Sequence, residues 1–126
     1  MIVVAAVIEQ EGRFLVARRL QGTHLAGLWE FPGGKARDGE SLEDVLRREI
    51  REELNTGIHG LNEVFRTKHA YPDRTIELHF FRGLLEGAPE PVLGQELRWN
   101  TRQDFPALSF PPADAELLAE LTNLRV

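Results

Sequence analysis

The stretch Gly34-Lys35-Ala36-Arg37-Asp38-Gly39-Glu40, continued by Ser41-Leu42-Glu43-Asp44-Val45-Leu46-Arg47-Arg48-Glu49-Ile50-Arg51-Glu52-Glu53-Leu54-Asn55-Thr56, decides how this chain is read. A glycine-containing turn opens into a helix. Leu42, Val45, Leu46, Ile50 and Leu54 recur at helical spacing and supply its apolar face. Ser41 suits the N-cap, with Asp44 three residues on in a capping-box pattern, and Glu43 and Asp44 favour the positive N-terminus. The helix is expected to end near Leu54, because Asn55 tolerates the left-handed backbone that closes helices. Glu49, Glu52 and Glu53 share one face at i, i+3 and i+4. Like charges so placed destabilise a helix by a few tenths of a kcal/mol. Their company therefore points to a cation, and clustered oxygen ligands suit Mg²⁺ or Mn²⁺, the former usually shared with substrate phosphates.

Outward from this stretch, residues 2–8 and 14–19 are expected to form a hairpin joined by Glu9-Gln10-Glu11-Gly12-Arg13. Residues 20–27 read as a polar loop, and Trp29 to Phe31 as a short strand ending at the Pro32-Gly33-Gly34 turn. Ile58 to Lys68 and Ile76 to Leu85 read as strands around the turn Tyr71-Pro72-Asp73-Arg74, with Ile76, Leu78 and Phe80 inward and Glu77, His79 and Phe81 outward. Glu96 to Trp99 is expected to be a strand, and Pro111-Pro112 to precede a helix from Asp114 to Leu121. Strands with helices at two separate places imply an α/β fold, a mixed sheet covered on both faces.

The chain has 126 residues, room for one domain, 1–126. With no cysteine, disulfides and thiolate metal sites are excluded. The run Ile2 to Ile8 is too short to span a bilayer and Met1 brings no basic leader, so no membrane is expected and a cytoplasmic location follows by default. A net charge of −5 argues against a nucleic-acid polymer as partner. A monomer or a homodimer is expected. His24, His59, His69 and His79 show no metal-ligand spacing.

The spacing G-x5-E-x7-R-E-U-x-E-E-x-G-U, with U aliphatic, is the Nudix box, and Gly34, Glu40, Arg48, Glu49, Ile50, Glu52 and Glu53 match it in register. Asn55 stands where the pattern has its last glycine, and Thr56 where it has an aliphatic residue. The run Leu28-Trp29-Glu30-Phe31-Pro32-Gly33-Gly34-Lys35, together with Arg18-Arg19, Tyr71-Pro72-Asp73-Arg74, Leu97-Arg98-Trp99 and Phe110-Pro111-Pro112-Ala113-Asp114, resembles the MutT-like and CTP-pyrophosphohydrolase branch of that family. The resemblance implies a Nudix α/β/α sandwich that hydrolyses nucleoside triphosphates to monophosphate and pyrophosphate, with water attacking the β-phosphorus. Sequence physics alone allows attack at any of the three phosphorus atoms.

On this reading Glu52 and Glu53 are metal ligands, Glu49 is a ligand or a base orienting water, and the Gly33 carbonyl coordinates as the resemblance implies. Glu40 lies near enough to reach the same shell, and Arg48 orients the glutamates. The ion would offset phosphate charge and acidify a bound water. Lys35 and Arg19 are expected at phosphate oxygens. Phe31, Leu78 and Phe80, with Phe110, are candidates for an apolar slot around the base, and Arg74 is expected to pack on or bond to it. Asp114 aligns with an Asn in enzymes selective for oxidised guanine. An ionised Asp only accepts, which suits the amine of cytosine or adenine, so the expectation leans to cytosine or modified nucleotides and to nucleotide-pool sanitation. A protonated Asp would match oxidised guanine, but burial must then raise its pKa considerably. One departure stands out. MutT-type enzymes often supply a further glutamate from the loop before Leu97, where this chain has Leu93, with Glu90 or Glu96 nearby. Alternatives are an 8-oxo-dGTP diphosphatase, an ADP-ribose or dinucleotide pyrophosphatase, and a non-catalytic nucleotide-sensing module.

Overall fold

The computed structural model describes residues 1–23 and 25–123. Eight strands, two α-helices and two 3₁₀ turns follow in order: β1 (Ile2–Val7), β2 (Glu9–Gln10), β3 (Arg13–Arg18), β4 (Trp29–Glu30), β5 (Gly33–Lys35), α1 (Leu42–Leu54), β6 (Ile58–Tyr71), β7 (Arg74–Leu85), β8 (Leu97–Asn100), turns at Arg102–Ala107 and Pro112–Asp114, and α2 (Ala115–Asn123). A mixed sheet in the order β5-β1-β7-β6 carries β1 parallel to β7 and the other pairs antiparallel. A smaller sheet joins β2, β3 and β4, with β8 also on β3.

The main sheet is buried on both sides. Val4, Ala6, Ile8 and Phe81 pack with Leu15 against Val45, Leu46, Ile50 and Leu54 of α1. Ala5, Val7, Leu78 and Phe80 face the other way, against Phe31, Phe105 and Leu117 and Leu121 of α2. This is the expected α/β/α arrangement. The four buried α1 side chains are each fully enclosed, and each is worth about 1.5–3 kcal/mol when removed from water. Ser41 caps α1 through the forward half of the expected box, the Asp44 N–H donating to Ser41 Oγ at 3.2 Å while the Asp44 carboxylate takes Arg47, and Asn55 closes the helix at φ 54°, left-handed.

Three expectations are corrected. The runs at 2–8 and 14–19 are not paired strands of one hairpin. They meet only at its mouth, where Leu15 N–H donates to Ile8 O, and then diverge into different sheets. A run apolar on both faces belongs in a sheet interior beside a parallel neighbour. The turn itself, Glu11 and Gly12 with φ 52° and 77°, joins β2 to β3 in the positive-φ pattern of tight hairpins. Second, Phe81 and His79 on β7 are buried (both 3% exposed) instead of outward: Phe81 packs in the cluster with α1, and His79 lies between the carboxylates of Glu63 and Glu77. Third, Gly33 and Gly34 form part of strand β5 on the sheet edge, not a turn.

Candidate active site

Strand β5 runs into the loop before α1, so the helix's cavity-facing carboxylates end beside the Gly33-Gly34 backbone. Glycine at 34 has a steric cause: a Cβ there would lie 2.4 Å from the Glu49 carboxyl carbon. At Gly33 a Cβ would meet Val4 O of β1. Both positions let a carboxylate and a neighbouring strand approach bare backbone.

A cavity of about 490 Å³ opens on this face. Gly33, Gly34, Lys35, Glu49 and Glu53 line one part of it; Phe31, Arg74, Leu78, Phe80 and Asp114 line another, and Arg19 and Glu30 also face it. The sheet side that does not carry α1 forms its floor.

Arg48 is the brace of the carboxylate cluster. Its Nε and Nη2 donate to the two oxygens of Glu40 at 2.8 and 2.9 Å, Nη1 donates to Glu49 at 2.8 Å, and Nη2 donates to Lys35 O at 3.0 Å. The forked bond to Arg48 holds the Glu40 carboxyl down at about 2, helped by the Arg37 N–H. Glu40 is thereby committed to Arg48, and neither residue lines the cavity. Glu52 is half exposed, 3.5 Å from Arg48 and 3.9 Å from Arg37, and also outside the lining.

Glu53 is different. Burial pushes its carboxyl up to about 9, a hydrogen bond and the charge of Glu49 add to the effect, and the Gly33 N–H opposes it. Burial and the neighbouring Glu49 thus favour the protonated form of the Glu53 carboxyl. Among the described residues no three acidic or histidine side chains already close on one point as a metal cage. The donor set nevertheless fits a divalent ion. Glu53 and Glu49 bring hard oxygen ligands within electrostatic reach of each other, and a divalent cation would relieve the repulsion between them.

At the other part of the cavity, Asp114 is 7% exposed, and burial, with the charge of Glu30, raises its carboxyl to about 7. The premise that Asp114 is ionised at neutral pH is thus corrected: near neutrality it exists in both forms. Phe31, Leu78 and Phe80 are nearly buried, and Phe110 lies behind Phe31, stacked at 5.7 Å, outside the lining. Arg74 Nε is buried without a hydrogen-bond partner among the described residues, a donor that a ligand oxygen would satisfy. Leu93 does line the cavity, and Glu90 and Glu96 do not. Glu90 reaches Asn55 and Glu96 reaches Arg18.

Gln95 and Glu30 are among the lining residues to which the sequence reading gave no role. Gln95, nearly buried, donates to Glu53 O at 3.1 Å and accepts from Leu93 N–H at 2.9 Å, strapping the 90–95 loop to the last turn of α1. Glu30 pairs with Arg19 at 2.7 Å. Its signal was a lone charge inside the apolar run Leu28-Trp29-Glu30-Phe31. His24 lies outside the described residues.

An α/β/α sandwich whose carboxylate-bearing helix borders a nucleotide-sized cavity defines a class of phosphate-handling hydrolases. The chain belongs to the Nudix family: a NUDIX domain matches residues 3–120. It is 39% identical over 126 residues to an 8-oxo-dGTP diphosphatase of Haemophilus influenzae, covering 96% of this chain and 90% of that protein. It is 38% identical to a CTP pyrophosphohydrolase of Escherichia coli, covering 98% and 92%. Among solved structures, the E. coli ORF135 protein superposes with a TM-score of 0.82 at 35% identity over 94% of this chain and 85% of that one. MutT NUDIX hydrolase from Burkholderia pseudomallei gives 0.85 at 25% identity over 96% and 97%. No helix among the described residues is long and apolar enough to cross a membrane.

Proposed function

We propose that this chain is a Mg²⁺-dependent nucleoside triphosphate pyrophosphohydrolase that removes modified nucleotides from the pool. The observation that carries this reading is the convergence of Glu53, Glu49 and the Gly33 backbone on a cavity that also holds Lys35 and Arg19. Glu49, Glu53 and the Gly33 carbonyl would hold the ion. Glu52 joins them, since its pairings at 3.5 and 3.9 Å are half exposed and such pairs are worth little. The ion supplies charge neutralisation and a more acidic water.

The chain's own residues do the rest. Lys35 and Arg19 bind phosphate oxygens. Arg48 fixes the direction of Glu49, which serves as ligand or as the group that orients water. Phe31, Leu78 and Phe80 form an apolar wall that takes the base and excludes water, and Arg74 Nε bonds to it. Water forms a bond to the β-phosphorus, the oxygen bridging α and β leaves with the monophosphate, and pyrophosphate keeps the solvent oxygen. Asp114, when ionised, accepts from the cytosine amine; when protonated, it also donates, as oxidised guanine requires. The two relatives named for CTP and for 8-oxo-dGTP agree with a site able to take either. We place a monomer or homodimer of this chain in the cytoplasm with its substrates.

A panel of ordinary, methylated and oxidised triphosphates in ¹⁸O-water with Mg²⁺ tests the reading. Mg²⁺-dependent release of labelled pyrophosphate is expected. Binding without turnover would favour a nucleotide-sensing module, and turnover confined to ADP-ribose or dinucleotides would move the substrate class.

A further inference from the structure

The chain holds one methionine and no cysteine, so all of its sulfur is the thioether of Met1. The Met1 carbonyl accepts from Glu77 N–H at 2.8 Å and its nitrogen donates to Thr75 O at 3.4 Å, which carries the β1–β7 pairing one residue beyond Ile2. Side chains alternate along a strand, so Met1 falls on the side of Val3 and Ala5 and not on that of Val4. With Val3, Ala5, Ile76 and Leu78 it lines the cavity. Ala5 and Leu78 are each 5% exposed, whereas Met1 is open, at 46%.

A reduced thioether is apolar and pliant, and it fills an apolar wall well. An exposed one is also within reach of peroxides. The sulfur lone pair attacks one oxygen of hydrogen peroxide, the S–O bond forms as the O–O bond breaks, and the other oxygen leaves with both hydrogens as water. Sulfur gives up two electrons and the peroxide takes them. We propose that Met1 is a peroxide-sensitive modification site in the cavity wall, whose sulfoxide weakens the binding of the nucleotide that covers it. The inference rests on the nucleotide-hydrolase reading above. The S=O group keeps its water while the cavity is open and is stripped of it when a ligand covers the wall, so the penalty falls on the bound state. Glu49 and Glu53 border another part of the cavity, so the loss belongs to KM and not to kcat.

The test treats wild type and Met1→norleucine, in which a CH₂ replaces the sulfur, with hydrogen peroxide. Peptide mass spectrometry and dCTP kinetics follow the reaction. The treatment is repeated with the non-hydrolysable α,β-methylene analogue of dCTP at a concentration that inhibits dCTP turnover. In wild type Met1 is expected to gain one oxygen, about 16 Da, and KM to rise about fivefold or more with kcat within about twofold. The bound analogue should slow oxidation of Met1 at least about threefold, and methionine sulfoxide reductase should restore KM. The norleucine protein should keep the KM it had before peroxide; an equal rise there places the damage elsewhere and overturns the proposal. So does an oxidised Met1 with unchanged KM, oxidation at one rate with and without the analogue, or a purified chain that lacks Met1. A wild type that neither hydrolyses a triphosphate nor binds the analogue removes the hydrolase reading as well. One that hydrolyses dCTP but is indifferent to peroxide leaves that reading standing and removes only the modification site.

Discussion

Replacing Glu53 with Gln should stabilise the metal-free protein in alkaline solution while abolishing its activity. The folded-state carboxyl titrates at about 9, against an ordinary 4.5. A raised pKa means that its contribution is complete below about pH 4.5 and is lost as pH rises through about 9. The loss approaches about 1.4 kcal/mol per pH unit, hence about 4 kcal/mol between pH 5 and pH 8. Gln keeps the shape of the protonated acid and a donor for Glu49, but it does not titrate. At about 3–6 °C per kcal/mol for a domain of this size, chelator-treated wild type should lose on the order of 10 °C of melting temperature over that range relative to the Gln variant. Thermal melts from pH 5 to pH 9 in chelator provide the assay. Parallel pH profiles, or a variant less stable than wild type at pH 8, would refute the argument that Glu53 is held protonated by burial and by Glu49.

Asp114, raised to about 7, should make base preference depend on pH: the rate with 8-oxo-dGTP relative to dCTP falls several-fold from pH 6 to pH 8, and Asp114→Asn flattens the profile. Gly34→Ala should lower kcat by about a hundredfold or more with the fold retained, because its Cβ displaces the Glu49 carboxylate 2.4 Å away; crystallography of the variant would show the shift. Arg48→Lys should behave nearly as badly as Arg48→Ala in turnover and melting temperature, since one ammonium cannot reproduce the fork to Glu40, Glu49 and Lys35 O. Leu93→Ala should change kcat by less than about tenfold in steady-state assays, because no proton transfer is assigned to that side chain.

Helix α1 could be read from sequence to within a residue, because its cap, its stripe and its left-handed stop are all local chemistry in Ser41, Leu46, Ile50 and Asn55. Long-range pairing was the hidden part. Nothing in Ile2–Val7 says that its partner is β7, far along the chain, instead of the run just after it. Gly33-Gly34 has no strand propensity, and it becomes a strand only because β1 and Glu49 leave room for nothing larger. The site was legible as a set of residue types at fixed spacing. Which carboxylates face inward was not: a helix face spans a wide arc, and Arg48 together with Arg37 draws Glu52 to the solvent side while Glu49 and Glu53 border the cavity. Burial was equally invisible, and it decides that Asp114 titrates near neutrality.

The claim that Glu53 gives up its proton for a divalent ion that Glu49 helps to hold meets its most direct test in calorimetric titration of Mn²⁺ at pH 8 in buffers of different ionisation enthalpy. The account predicts binding accompanied by release of about one proton, with both the binding and the release lost in Glu49→Gln/Glu53→Gln. Equally tight Mn²⁺ binding by that double variant, or binding by wild type without proton release, would contradict it.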